Sequence, residues 1–172
     1  MNSLGFKKKA KDTKVIVAMS GGVDSSVAAV KLKKEGYDVT GVTLRLYNQP
    51  NSSKSKSCCA GIDINDAKKV AEQYDFPHKI FDYQDKFFDG VISNFVDSYA
   101  NGETPVPCIQ CNQTVKFSDL LEESKNLNAD ALVTGHYAIR KGGLKESKLF
   151  KAKDKTKDQS YFLFATLQDQ LD

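Results

Sequence analysis

The chain lacks any run of about 20 apolar residues, the length that a membrane-spanning helix requires. Its basic start, "KKKAKDTK" at residues 7 to 14, is not followed by the apolar segment of a secretory signal, so a cytoplasmic protein with no membrane partner is expected. Cysteine is scarce as well. The four cysteines comprise an adjacent pair (Cys58, Cys59) and a C-x-x-C pair (Cys108, Cys111), which is unlike the framework of a secreted disulfide-rich domain. In a reducing compartment they point to redox, sulfur or metal chemistry. An excess of one charge is also missing: 25 basic against 22 acidic residues leave +3, too little by itself to announce a nucleic-acid binder.

The lysines that are present are clustered, at 7 to 14 and in "KLFKAKDKTK" at 148 to 157. Residues 1 to 13 read as a basic, flexible N-terminus. Residues 14 to 172 have the size of one ordinary domain, and neither an internal repeat nor a second domain is evident.

Periodicity supplies the elements. The Val- and Ile-rich run at 14 to 19 reads as a buried strand, "SGGVDSS" as a turn, and "SSVAAVKLKKEG" as a helix with Val27, Val30 and Leu32 inward and Gly36 as its left-handed stop. "YDVTGVTLRL" completes a parallel βαβ unit. Residues 47 to 61 read as a mobile loop, followed by a helix capped by Asp63 with Ile64, Ala67, Val70 and Ala71 on one face. "HKIFDY" is a third strand. The next helix carries Phe87, Phe88, Val91, Phe95 and Val96 as a core stripe. Residues 101 to 111 form a Pro-punctuated loop before a helix with Val115, Leu120 and Leu121 inward. "ADALVTGHYA" reads as a buried strand ending in a glycine turn, and a strand and a helix start close the chain. The alternation implies an α/β fold with a doubly wound parallel sheet, whose ligands collect at the carboxyl ends of the strands.

"MSGGVDSS" looks like a phosphate-binding loop without the lysine that G-x-x-x-x-G-K-[ST] demands. Adjacent glycines ahead of a helix let the backbone approach an anion, and the hydroxyls of Ser20, Ser25 and Ser26 add donors. Asp24 could hold a magnesium ion on the phosphates. The stretch resembles the SGGxDS loop of the ATP pyrophosphatase, or PP-loop, superfamily. That resemblance implies an adenine nucleotide alpha hydrolase-like domain that grips departing pyrophosphate while a second substrate is joined to AMP.

"VIVAMSGGVDSSVAA", "GVTLRLYN", "CCAGIDINDAKKVAEQ", "TPVPCIQCNQTVKF", "ADALVTGHYA" and "KDQSYFLF" occur in the order seen in the tRNA-specific 2-thiouridylase family, and together they cover nearly the whole chain. The resemblance implies ATP contacts at Ala18, Met19, Ser20, Gly21, Gly22, Val23, Asp24 and Ser25, at Leu44 and at Gly135. It makes Cys111 the catalytic nucleophile, Val106, Pro107 and Cys108 the target-base contact, and Lys157, Asp158 and Gln159 a tRNA contact. The family often has Gly at position 18 and Met at 44, and its base-contact motif is commonly N-P-D, so Cys108 replaces an Asp. A place just before a helix would lower the pKa of Cys111. His136 is open to two readings, a capped loop residue or a group orienting nucleotide or base; His78 reads as structural.

The family's cofactors are ATP and Mg2+, and its partners are tRNA and a persulfide sulfur donor protein. Adenylation of the C2 oxygen of the wobble uridine is followed by sulfur transfer, in which Cys111 attacks a persulfide on a second cysteine or forms the resolving disulfide. That second cysteine, with the central and C-terminal domains, is expected beyond residue 172, and a chain truncated in this way is expected to bind ATP but thiolate poorly. Three alternatives stay open: a bare nucleotide-binding module, an iron-sulfur tRNA thiolase using the four cysteines, and an amide-forming synthetase. Cys58 and Cys59 read as structural or incidental thiols.

Overall fold

A computed structural model describes residues 1–46, 61–143 and 145–172. The adjacent pair Cys58, Cys59 and the segment read as a mobile loop therefore lie outside the described residues, apart from Gly61. The chain divides into two compact units, residues 1–84 with 124–135 and residues 85–123 with 136–172.

In the first unit β1 (Lys14–Ala18), β2 (Asp38–Arg45), β3 (His78–Asp82) and β4 (Ala131–Val133) form a parallel sheet in the order β3-β2-β1-β4. Val15, Ile16 and Val17 are fully buried, as a strand covered on both faces requires. On one face, Val15, Val17 and Val39 cluster with Ala29 and Leu32 of α1 (Val23–Lys34) and with Ala67 and Ala71 of α2 (Gly61–Gln73). The parallel βαβ opening and the Gly36 stop (φ +88°) stand as expected. Three expectations are corrected. Helix α2 begins at Gly61, so Asp63 is in its first turn and not its cap. Val27 is exposed on the outer face of α1, where with Val23, Val30, Val70 and Tyr74 it lines a groove of 740 Å³. And β4, at the sheet edge, is half-buried and ends at Val133.

The first thirteen residues make contacts with the rest of the first unit. Leu4 and Ala10 pack against the core, Asn2 Nδ2 donates to Thr13 Oγ1 (2.8 Å), and Lys8 pairs with Asp130. Composition emphasises the exposed lysines; the two apolar residues between them decide the packing.

The second unit holds α3 (Gln84–Phe87, its first residue belonging to the other unit), α4 (Ser93–Ala100) and α5 (Pro107–Cys111). It ends in a hairpin of β5 (Ala138–Lys141) and β6 (Lys148–Lys151), a 3-10 turn at Ser160–Leu163 and α7 (Gln168–Leu171). Between α5 and β4 the chain runs through α6 (Leu120–Asn126). The helices flanking Phe88–Ile92 and Asn112–Asp119 are joined there by π-helical segments. Each i→i+5 turn takes up extra residues and rotates the helix beyond it. Val91 accordingly stays fully buried while Phe88 (58% exposed) and Val96 (55%) leave the stripe on which a regular period placed them.

Candidate functional site

The order β3-β2-β1-β4 reverses direction between β1 and β4, and a crevice at the carboxyl ends of those two strands is where an open α/β sheet binds ligands. Both glycine turns lie on that edge. Gly21 follows β1 with φ +81°, and a Cβ on it would stand 2.1 Å from the carbonyl oxygen of Asp63 in the first turn of α2. Gly22 caps α1 in an extended conformation, and the first intrahelical bond runs from Ser26 N to Gly22 O (3.3 Å). The amides of the first helical turn have no intrahelical acceptor and add to the positive end of the helix dipole, which is what an anion needs.

Gly135, two residues past β4, abuts that same turn: a Cβ there would lie 2.6 Å from Ser25 N and 2.8 Å from Ser25 Cα. The structure therefore gives Gly135 a packing role, seating β4's exit loop on the start of α1. Met19 is buried and its N–H donates to Val42 O (2.8 Å), which continues the β1–β2 ladder into the loop. Ala18 is opposite Val42 in that ladder, and Leu44, buried, lies two residues further toward the same edge.

The hydroxyls do not face outward as a set. Ser25 Oγ, buried, accepts from Ser20 N (3.2 Å) and donates to Gly22 O (3.3 Å); Ser26 Oγ also donates to Gly22 O (2.9 Å). These serines brace the loop through its own backbone. Val23 and Asp24 are exposed in the first turn of α1.

In the second unit Pro107 occupies the first turn of α5, whose N-cap is Val106. Cys108 is exposed in that turn, and Cys111 is buried at the other end of α5, inside a helical run that continues into the π segment. The place expected for Cys111, ahead of a helix, is thus corrected: the first turn, where a dipole acts, holds Cys108. Among the described residues no group of three or more His, Cys, Asp and Glu side chains is placed to hold a metal ion.

The 157–159 stretch is tightly tied. Gln159 N–H donates to Tyr137 O (2.9 Å), and Gln159 Oε1 accepts from Tyr137 N (2.9 Å). Asp158 accepts from Ala152 N (2.6 Å) and Ser160 Oγ (2.7 Å), bonds that hold its carboxyl below the usual range. Lys157 Nζ lies 5.4 Å from the Tyr137 ring centre, and its neighbours Lys148, Lys151, Lys153 and Lys155 are exposed. His136 stands beside the Phe117 ring (6.2 Å between centres); burial, helped by the charge of Lys116, lowers its pKa to about 4, so the imidazole is neutral at pH 7. His78 hydrogen-bonds Thr43 Oγ1 (2.8 Å), in keeping with a structural role.

These features define a class, a parallel α/β nucleotide-binding domain with a glycine loop at its switch point, joined to a thiol-bearing helical unit with a basic hairpin. Residues 13–172 match the family described as the tRNA methyl transferase HUP domain, and the chain belongs to that family. It is 57% identical over 173 aligned residues to the tRNA-specific 2-thiouridylase MnmA of Jannaschia sp., covering 100% of this chain and 46% of that protein. The corresponding protein of Dinoroseobacter shibae is 56% identical, with 100% and 45% covered. The chain thus spans about half the length of the curated relatives it matches. A predicted subunit of tRNA methyltransferase from Methanocaldococcus jannaschii shares the fold, with a TM-score of 0.50 and 24% identity over 72% of this chain and 52% of that one.

Sequence reasoning missed Tyr137 and Asn112. Asn112, 3% exposed, donates from Nδ2 to the carbonyl oxygen of Phe162 (2.9 Å). Only its place beside Cys111 in the "CN" pair could have drawn attention to it.

Proposed function

We propose that this chain is the nucleotide-binding and thiol-bearing part of an ATP-dependent tRNA-uridine 2-sulfurtransferase. The observation that carries the reading is the 57% identity to a tRNA-specific 2-thiouridylase across all of this chain, glycine loop, Cys111 helix and basic hairpin included. ATP fits the first unit because Gly21, with φ +81°, turns the chain sharply from β1 into the first-turn amides of α1, which have no intrahelical acceptor. Ala18, Met19, Ser20, Gly21, Gly22, Val23, Asp24 and Ser25 hold the phosphates, with the adenine near Leu44 and the Gly135 loop closing against α1. Exposed Asp24 is the residue that would hold Mg2+, whose charge would offset that of the phosphates.

ATP supplies an AMP group for the C2 oxygen of a wobble uridine: the oxygen bonds the α-phosphorus and pyrophosphate departs. The outer sulfur of a donor persulfide then bonds C2 and the oxygen leaves with AMP; another cysteine thiol attacks the inner persulfide sulfur, the S–S bond breaks, and a disulfide between the two cysteines supplies the two electrons. The chain's part is to bind and orient. Val106, Pro107 and Cys108 at the start of α5 contact the base, Cys111 attacks the persulfide on a second cysteine or forms the resolving disulfide with it, and Lys157 with the neighbouring lysines engages tRNA phosphates. Asp158 and Gln159 serve by holding that turn in shape. The iron-sulfur alternative rests partly on Cys58 and Cys59, outside the described residues.

Transfer of label from ATP carrying a radioactive α-phosphate tests the reading. Wild type and Cys111→Ser are expected to attach label to tRNA bearing a wobble uridine, since Cys111 acts after adenylation. ATP binding with no label on tRNA in either protein would reduce the chain to a nucleotide-binding module.

A further inference from the structure

We infer that Asn112 is a positioning residue, a clamp that fixes the Cys111 thiol relative to the 157–163 turn. The inference deepens the proposed function, on which the importance of Cys111 rests. Asn112 Nδ2 donates to Phe162 O (2.9 Å) in the Ser160–Leu163 turn. Phe162 N–H donates to Gln159 O (3.0 Å), and Gln159 is paired at two points with Tyr137, the residue after His136. One continuous chain of bonds thus links the residue after Cys111, the turn that ends the lysine-rich stretch, and the loop of His136, all inside the second unit.

The amide is not there for packing. Asn112 Oδ1 is buried with no hydrogen-bond partner among the described residues, a costly arrangement that an apolar side chain of the same branched shape would avoid. What the side chain contributes is its N–H bond to Phe162. The bond also acts at a sensitive point, because the helix passes from α to π geometry between Cys111 and Asn112. A tether at that junction decides how far the helix can turn, and so whether the Cys111 thiol stays buried.

Cys108, exposed three residues earlier on the same helix, is an internal reference. Alkylation by iodoacetamide, resolved by peptide mass spectrometry, gives the ratio of the Cys111 to the Cys108 rate without ATP or RNA, so failure of the clamp is distinguishable from failure of the proposed function. Asn112→Ala is expected to raise the ratio at least about tenfold in a chain that keeps its far-UV spectrum. Leu120→Ala, a cavity about two turns along the same helical run, controls for general loosening and is expected to leave the ratio within about twofold of wild type. Asn112→Asp can donate to Phe162 O only when protonated. Its ratio, relative to wild type at each pH, should match that of Asn112→Ala at pH 8 and fall as the introduced carboxyl protonates. An unchanged ratio in Asn112→Ala, an equal rise in Leu120→Ala, or a pH-independent ratio in Asn112→Asp would overturn the clamp.

Discussion

Two glycines and one histidine carry the sharpest consequences of single side chains. Gly21 combines a left-handed backbone with a contact that leaves no room for a methyl group. Gly21→Ala is therefore expected to cost about 2–4 kcal/mol and to abolish ATP binding, checked by urea unfolding and by titration calorimetry. Gly135 lacks the positive φ, so Gly135→Ala strains the packing of α1 alone, about 1–3 kcal/mol, and should weaken ATP binding without abolishing it. His136 acts through pH. Its folded pKa of about 4 lies below the ordinary 6.5, so the unfolded chain takes up a proton first as pH falls. The stability it contributes is complete above pH 6.5 and is lost progressively toward pH 4. The urea midpoint should fall across that window, and His136→Gln should flatten the fall.

Among the elements, the β5–β6 hairpin and the stretch after it make a prediction that separates phosphate contact from fold. Lys151, Lys153 and Lys155 are exposed, whereas Asp158 and Gln159 spend their side chains on Ala152, Ser160 and Tyr137. Replacing the three lysines by alanine should leave the melting temperature unchanged. It should also reduce the slope of log affinity for tRNA against log salt by roughly 2–3, about 0.7–0.9 per lost contact. Asp158→Ala should instead speed exchange of the Ala152 and Ser160 amides. The first unit's elements were legible because strand period, the glycine loop and the Gly36 stop agree with one another. The π segments were not, since a regular helical period predicts Phe88 and Val96 inward and nothing local marks the change of pitch. Cys111, read as lying before a helix, is found within one because the helix already opens at Pro107, inside the stretch that its prolines made read as a loop. The glycine-loop residues were legible as a motif, but the inward turn of Ser25 and Ser26 depends on where Gly22 O points, which no spacing reveals.

In the molecule as a whole the features are divided: the first unit presents a glycine loop at a topological switch point, and the second carries a buried thiol, a neutral histidine and a basic hairpin. A nucleotide module alone would need only the first. The second has a use if the AMP is destined for RNA. Release of pyrophosphate from ATP, measured with tRNA carrying uridine or cytidine at the wobble position, tests that claim most directly. Release that requires the uridine tRNA is the predicted result; release that is equal with either tRNA, or equal without tRNA, would contradict it.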